Sequence, residues 1–497
     1  MSAIITEKFR QHNANQFVES FTEAAASTYY LFLGKATAFS STTTGGTDSS
    51  PPTPGDSPQE EFRAWDSMLG AKIITSSDIK FSVPRRNWAN GTVYDMYRHD
   101  YSSSNTSTSG TSNLYDSTFF FLTSDYRLYK VLDNNGGSAF SGTEPTSTST
   151  SPFAAGGYIL KYMLTISTSD FAKYGTTDFI PVVSDSTVSA AAIDGAIESL
   201  SITVGSGYTD GTYYAAIHGD GANAGTSSGA IVRITVSSGS IVSFGLTSGT
   251  DTTIHAAGSG YTFGYVNLGV GFIFSDTSLS NASAIGGSGG AIDVIISPDD
   301  GHGKNVVTEL GAHYVMAAIT LTQAEGDDFT TGNDFRTIGL VVDPTNFGSS
   351  TVASATTARQ TYIVKLDTNS GTFQADEVIT QASTGAVGKV VEYDSTLKLL
   401  YYQQESYKGF GTNATSGNYV AFSGTNQITG ATSSATGTTG ASSETVTLAN
   451  SNTLTLTAGY ATPELQEYSG DIIYLENRKP IQRASDQSED IKIIIEF

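Results

Sequence analysis

The sequence predicts a mainly β protein with one N-terminal helix, and three observations carry that prediction. Short runs of β-branched and aromatic residues alternate with turn residues along most of the chain. Tyrosine (26) and phenylalanine (25) are abundant, which argues against disorder and for packed sheets. Gly/Ser/Thr-rich units recur, and there are 52 glycines in all. The 497 residues leave room for roughly three domains of about 150 residues each.

The helix is expected over residues 7–26. Ala14, Phe17, Val18, Phe21 and Ala25 recur at helical spacing, and Thr6 can cap the start. "STYYLFLGKATAF" then reads as a strand, and residues 40–58 as turn and loop, because their prolines and glycines deny regular pairing. "DIKFSVPRRNWANGTVYDMY" reads as a strand broken at Pro84 and a second strand after the Asn90-Gly91 turn. "TFFFLTSDYRLYKVLDNN" reads as two strands about a turn at Ser124-Asp125. "GGYILKYMLTIS" and "DFIPVVS" are further strands, and the Ser/Thr stretch between Asn135 and Pro152 is a surface loop. "GKNVVTELGAHYV" is the one other helix candidate, and a short one.

Two regions repeat internally. "GSGYT" occurs at Gly205 and Gly258, and a Gly-Ala-Ile segment follows each copy, at Gly229 and Gly290. Residues 191–297 are therefore read as a duplicated β-module. "VITQASTGAVGKV" from Val378 aligns with "QITGATSSATGTT" from Gln427, which marks a second repeat-containing β region over 359–458.

Charge and cysteine usage narrow the function classes. The net charge is −23, which disfavours nucleic acid and anionic membrane as partners. There is no cysteine, so disulfides, thiolate metal sites and Cys nucleophiles are excluded. "MSAIITEKFRQHN" lacks the apolar core of a signal peptide, and no apolar run nears the roughly 18 residues of a membrane span.

No enzyme chemistry stands out, and neither a cofactor nor a metal site is expected. His12, His99, His218, His255, His302 and His313 are scattered without an H-E-x-x-H pair, so structural or solvated roles are expected. "SPDDGHGKN", with Asp299, Asp300, His302 and Lys304, is a polar turn before a helix and not a phosphate loop. "EGDDFTTGNDF", with Asp327, Asp328 and Asp334, lacks EF-hand spacing and reads as a solvated loop before a calcium site. A glycosidase pair cannot be nominated among 48 acids, and no G-x-S-x-G elbow is placed between a strand and a helix.

Candidate interface residues are Arg85, Arg86 and Trp88 in "PRRNW", Arg336, and Glu476, Arg478, Arg483 and Asp486 near the terminus. Arg and Trp are favoured at interfaces because a planar guanidinium or a large ring buries well with few degrees of freedom. An edge-strand charge pattern that blocks aggregation is the alternative.

A series of segments then carries a family resemblance: "KFR" (Lys8), "VPRRNW" (Val83), "YKVLDNN" (Tyr129), "GGYILKYMLTI" (Gly156), "DFIPVV" (Asp178), "NDFRTIGLVVDPTN" (Asn333) and "IIYLENRKPIQRASDQSEDIKIIIEF" (Ile472). With these the chain resembles the gene-eight baseplate wedge family of T-even-type contractile-tail phages, in its long marine-phage version. The resemblance implies a β-sandwich core over 1–190, 298–358 and 459–497, with 191–297 and 359–458 as Gly/Ser/Thr-rich insertions. It also implies a structural, non-enzymatic subunit of the virion, assembled in the host cytoplasm. Its expected partners are a second copy and other baseplate wedge proteins. The rival reading is a tail adhesin that uses the repeated β-modules, and behind it a polysaccharide-degrading enzyme.

The C-terminal charges are expected to form a connection. Ile472–Leu475 and Ile491–Ile495 read as two strands, and Pro480 limits pairing between them. The last strand is expected to close the sandwich.

Overall fold

A computed structural model describes residues 4–24, 26–41, 45–322, 328–405, 411–412, 417–448, 451–484 and 486–497. The fold is mainly β, and its strand pairs are antiparallel throughout the registered ladders. No helix among the described residues is long and apolar enough to cross a membrane. The chain forms two compact units. The first comprises Met1–Gln16, Lys80–Met316 and Ile494–Phe497, and the second Phe17–Ile79 and Ala317–Ile493.

The first unit is built on a four-stranded sheet in the order Phe120–Leu122, Arg127–Asp133, Tyr158–Thr165, Phe153–Ala155. The predicted hairpin is present, with Phe120 opposite Lys130. Phe119, Phe121, Tyr129, Phe140 and Tyr158 fill the core beside this sheet. The strand expected after Asn90-Gly91 does not form. Tyr94–Tyr97 are buried there but pair with no ladder. Their N–H groups find other acceptors: Tyr94 N donates to Tyr158 Oη, Asp95 N to Thr118 Oγ1 and Tyr97 N to the Val131 carbonyl. A buried backbone needs partners, and side chains supply them where no neighbouring strand does. The Asp95 carboxylate in turn accepts from the N–H and hydroxyl of both Ser109 and Thr118, which pins the adjoining Ser/Thr-rich loop.

Within residues 191–297, Ser199–Tyr208 pairs with Gly286–Ile295, and a separate seven-stranded sheet is centred on Gly211–Gly219 and Ile231–Ser237. Their apolar faces share one core, and Leu132 and Ile159 of the four-stranded sheet join it. The two "GSGYT" copies lie in different elements, the first in a strand and the second in a loop. Their local backbone is nevertheless alike: Gly205 and Gly207 have φ 59° and 74°, and Gly258 and Gly260 have φ 62° and 72°. Each tyrosine turns inward and takes a backbone N–H from the other copy. Gly290 N donates to Tyr208 Oη at 2.9 Å, and Ala230 N donates to Tyr261 Oη at 3.1 Å. A Cβ at Gly205 would stand 2.4 Å from Gly290 N, and one at Gly258 would stand 2.8 Å from Ala230 N, so both positions require glycine.

The second unit contains a five-stranded sheet in the order Thr357–Arg359, Met68–Ile74, Tyr29–Gly34, Asp334–Val342, Asp471–Gln482. Tyr29–Gly34 is buried along its whole length. An eight-stranded sheet holds the second repeat region. Val378–Gln381 with Ala386–Asp394, and Ile428–Gly430 with Thr436–Thr438, are two hairpins joined through their first strands.

Three expectations change. The first helix spans Glu7–Glu19 and stops short of residue 26, and shorter helices form at Pro58–Asp66, Thr168–Tyr174, Ser186–Ala191 and Val306–Glu309. The penultimate strand does not stop at Leu475 but runs to Gln482. It does so by bulging: Phe335 faces Ile481 and Thr337 faces Asn477, so Arg478, Lys479 and Pro480 stand opposite Arg336 alone. Proline lacks a donor and is tolerated at such an edge bulge. The final strand, Ser488–Glu496, is the edge of a four-stranded sheet followed by Tyr314–Thr322, Ile79–Pro84 and Phe179–Pro181.

Candidate interaction sites

The predicted interface residues fall in both units. In the first, Arg85 and Arg86 follow the strand that ends at Pro84. The Arg85 guanidinium lies 5.1 Å from the Phe171 ring centre and donates to Asn87 Oδ1 at 2.8 Å and the Thr176 carbonyl at 2.9 Å. Arg86 lies 4.4 Å from the Phe120 ring centre and donates to the Tyr115 carbonyl at 3.2 Å. Burial pulls its pKa down to about 10. Trp88 is half-buried and meets Phe140 edge-on at 5.8 Å, and its Nε1–H has no acceptor among the described residues. These side chains fasten the segment after Pro84 to the aromatic core. Arg86 also lines a cleft of about 210 Å³ together with Glu7, Asp116 and His313.

In the second unit, Arg336 is only 4% exposed. Its Nε and Nη2 form a fork on the Asp48 carboxylate at 3.0 and 2.9 Å, with Asp334 at 3.1 Å and the Ala36 carbonyl at 2.5 Å. The Arg336 hydrogen bond holds the Asp48 pKa below the usual carboxylate range. Arg483 is 1% exposed and donates to Glu489 Oε2 at 3.2 and 3.1 Å and to the Thr330 carbonyl at 3.4 Å. Both guanidiniums are thus occupied internally. The accessible members are Arg478, which pairs with half-buried Glu476 at 3.0 Å, and exposed Asp486.

Of the acidic loop weighed as a cation site, Asp327 lies outside the described residues. Asp328 accepts from Thr357 Oγ1, and Asp334 pairs with Arg336. Among the described residues, no group of three His, Asp or Glu side chains is placed to hold a metal ion.

A further cluster escaped the sequence reading. Lys130 Nζ is fully buried, 2.5 Å from Glu309 Oε1, 2.7 Å from His302 Nδ1 and 3.6 Å from the centre of the Tyr97 ring. Gly303 N donates to Glu309 Oε2 at 2.7 Å. Burial pulls the Lys130 pKa down to about 8, against the pull of Glu309. Burial alone would raise Glu309, but the Lys130 charge and the contacts around it outweigh that and bring it down to about 2. His302 is held neutral, first by burial and then by the Lys130 charge, and its Nδ1 accepts from the ammonium. The cluster ties Arg127–Asp133 to the "DDGHG" turn and the short helix behind it. On the neighbouring strand Lys161, which faces Lys130 in register, takes both oxygens of Glu198 at 3.0 Å. The polar turn thus places its one histidine, His302, in a core ion network.

The comparisons with known proteins bear on both ends of the chain. The family model Phage-Gp8, described as Bacteriophage T4, Gp8, matches residues 3–150 and 440–497. No curated protein matches the chain.

Proposed function

Because the Gp8 family model matches both ends of the chain, we propose that it is a member of this family of phage baseplate wedge proteins and acts as a homodimeric wedge subunit that links neighbouring wedge proteins as the tail assembles in the host cytoplasm. As a family member it is a structural component of the virion's tail baseplate and associates with other baseplate proteins.

One observation supports the finer reading. The strand Asp471–Gln482, inside the matched C-terminal span, is the outer edge of the five-stranded sheet. An edge strand offers a row of backbone donors and acceptors to another strand. Bulges at Ile473 and at Arg478–Pro480 interrupt regular pairing, which leaves Tyr474–Asn477 as the regular length between them. Ile473, at the first bulge, is 48% exposed. Two copies meeting edge to edge and antiparallel would form a self-complementary two-fold interface.

Light scattering on the purified chain should give the mass of a dimer, and Ile473→Asp should give a monomer. Pull-down of the neighbouring wedge subunits by the intact chain should succeed. A clean wild-type monomer that ignores every other wedge protein overturns the proposal.

A further inference from the structure

Residues 191–297, which lie outside the spans matched by the family model, carry a row of exposed rings. Tyr265 faces His218 across the antiparallel pair of Gly211–Gly219 and Gly264–Val266. The two rings stack at 5.4 Å and 25°, and Phe272 meets His218 edge-on at 5.4 Å. Phe263 extends the row, 5.9 Å from Tyr265. On one side of this pair the register partners are Ile217, fully buried, and Val266, and on the other they are Gly219 and Gly264, which carry no side chain. Phe263 is 60%, Tyr265 48% and Phe272 40% exposed. Rings lined up on the solvent face of a sheet gain nothing by staying in water, and a contiguous exposed apolar patch usually marks a binding surface.

Phe263 and Tyr265 also form a wall of an open cleft of about 500 Å³, and Arg98, His99, Asp100, Asn105 and Asp293 contribute its polar lining. The charges there are balanced or acidic. Arg98 is occupied by a two-point pair with Asp100 at 2.9 and 2.8 Å, and exposed Asp293 adds a negative charge. His99 Nδ1 accepts the Ile296 N–H at 3.2 Å, and burial holds the ring's pKa below its ordinary value, so its Nε2 carries a neutral N–H. This lining disfavours an anionic ligand. It does offer fixed donors and acceptors beside flat ring faces.

We propose that this cleft and ring row form a binding site for a neutral oligosaccharide. The electron-rich ring faces attract the weakly positive C–H groups of a pyranose, and the polar wall takes its hydroxyls. This inference is independent of the dimer and wedge contacts proposed above.

The test uses the full chain on an array of neutral and sulfated oligosaccharides, followed by calorimetric titration with the neutral oligosaccharide that binds best. Neutral oligosaccharides should bind in preference to sulfated ones. Phe263→Ala and Tyr265→Ala should each weaken binding about tenfold, at unchanged unfolding temperature, since a stacked ring contributes on this order. Phe347→Ala, an exposed ring in the second unit, should leave binding unchanged. Binding of no neutral oligosaccharide below roughly 10 mM overturns the proposal. So does saccharide binding that survives both ring substitutions. Loss of wedge-protein capture in the ring variants, without saccharide binding by the wild type, would make the row a protein contact and overturn it equally.

Discussion

The two compact units bury cations in different ways. The first buries lysines, Lys130 and Lys161, each on its own carboxylate. The second buries arginines, Arg336, Arg359 and Arg483, which spread their donors over carbonyls as well as acids. A lysine is a point charge that gives up its proton when burial costs too much, whereas a guanidinium stays charged and serves several acceptors at once. Each buried lysine of the first unit answers one carboxylate, Glu309 for Lys130 and Glu198 for Lys161. The arginine unit uses its cations as clasps between segments far apart in sequence: Arg336 reaches Asp48, Arg359 the Thr462 carbonyl, and Arg483 the Thr330 carbonyl.

The largest expected effect breaks the lysine arrangement. Glu309→Ala leaves Lys130 buried without its counter-charge and should cost about 3–5 kcal/mol in denaturant unfolding. The pair Lys130→Met with Glu309→Leu should recover most of that loss, because it removes both charges together. Acid should act on the same contact. Glu309 is depressed to about 2 from an ordinary value of 4.5, so its contribution is intact above pH 4.5 and is lost as pH falls toward 2. Unfolding followed over that window should lose this step in Glu309→Gln.

In the arginine unit, Arg483→Lys keeps the charge and loses the fork. It should cost about 1–3 kcal/mol, read as a lower urea midpoint at unchanged slope. The smallest effect belongs to the surface. Arg478→Ala breaks an exposed pair with Glu476 and should change stability by less than about 0.5 kcal/mol. If Arg483→Lys proved as harmless as Arg478→Ala, the contrast between point charge and clasp would fail.

The mainly β class, the strands and the hairpin at Phe120–Asp133 are legible in the sequence, because alternating apolar runs and turn residues act locally. So is the doubled hairpin in the second repeat region. Two missed helices also had local signals. Ser57 before Pro58 caps Pro58–Asp66 through the Glu60 N–H, and Asp185 accepts from the N–H groups of Thr187 and Val188. The run at Tyr94–Tyr97 looked like a strand because its composition suits one, yet the Tyr94 and Asp95 donors went to side chains. Burial of individual charges was not legible. Arg336 and Arg483 have the composition of an interface and the setting of core residues, and nothing near them in sequence separates the two. Lys130 and Glu309 meet across 179 positions, beyond the reach of any local pattern.

The exchanged tyrosines of residues 191–297 carry a genetic consequence. Each "GSGYT" tyrosine hydroxyl accepts a backbone N–H from the Gly-Ala-Ile segment of its twin, and Tyr261 also donates to the Ile217 carbonyl. With the tyrosines exchanged in this way, neither half of residues 191–297 is an independent cassette. Recombination that removed one copy would orphan a buried hydroxyl and a backbone donor in the survivor. Such a module is expected to be gained, lost or transferred between genomes only as a pair.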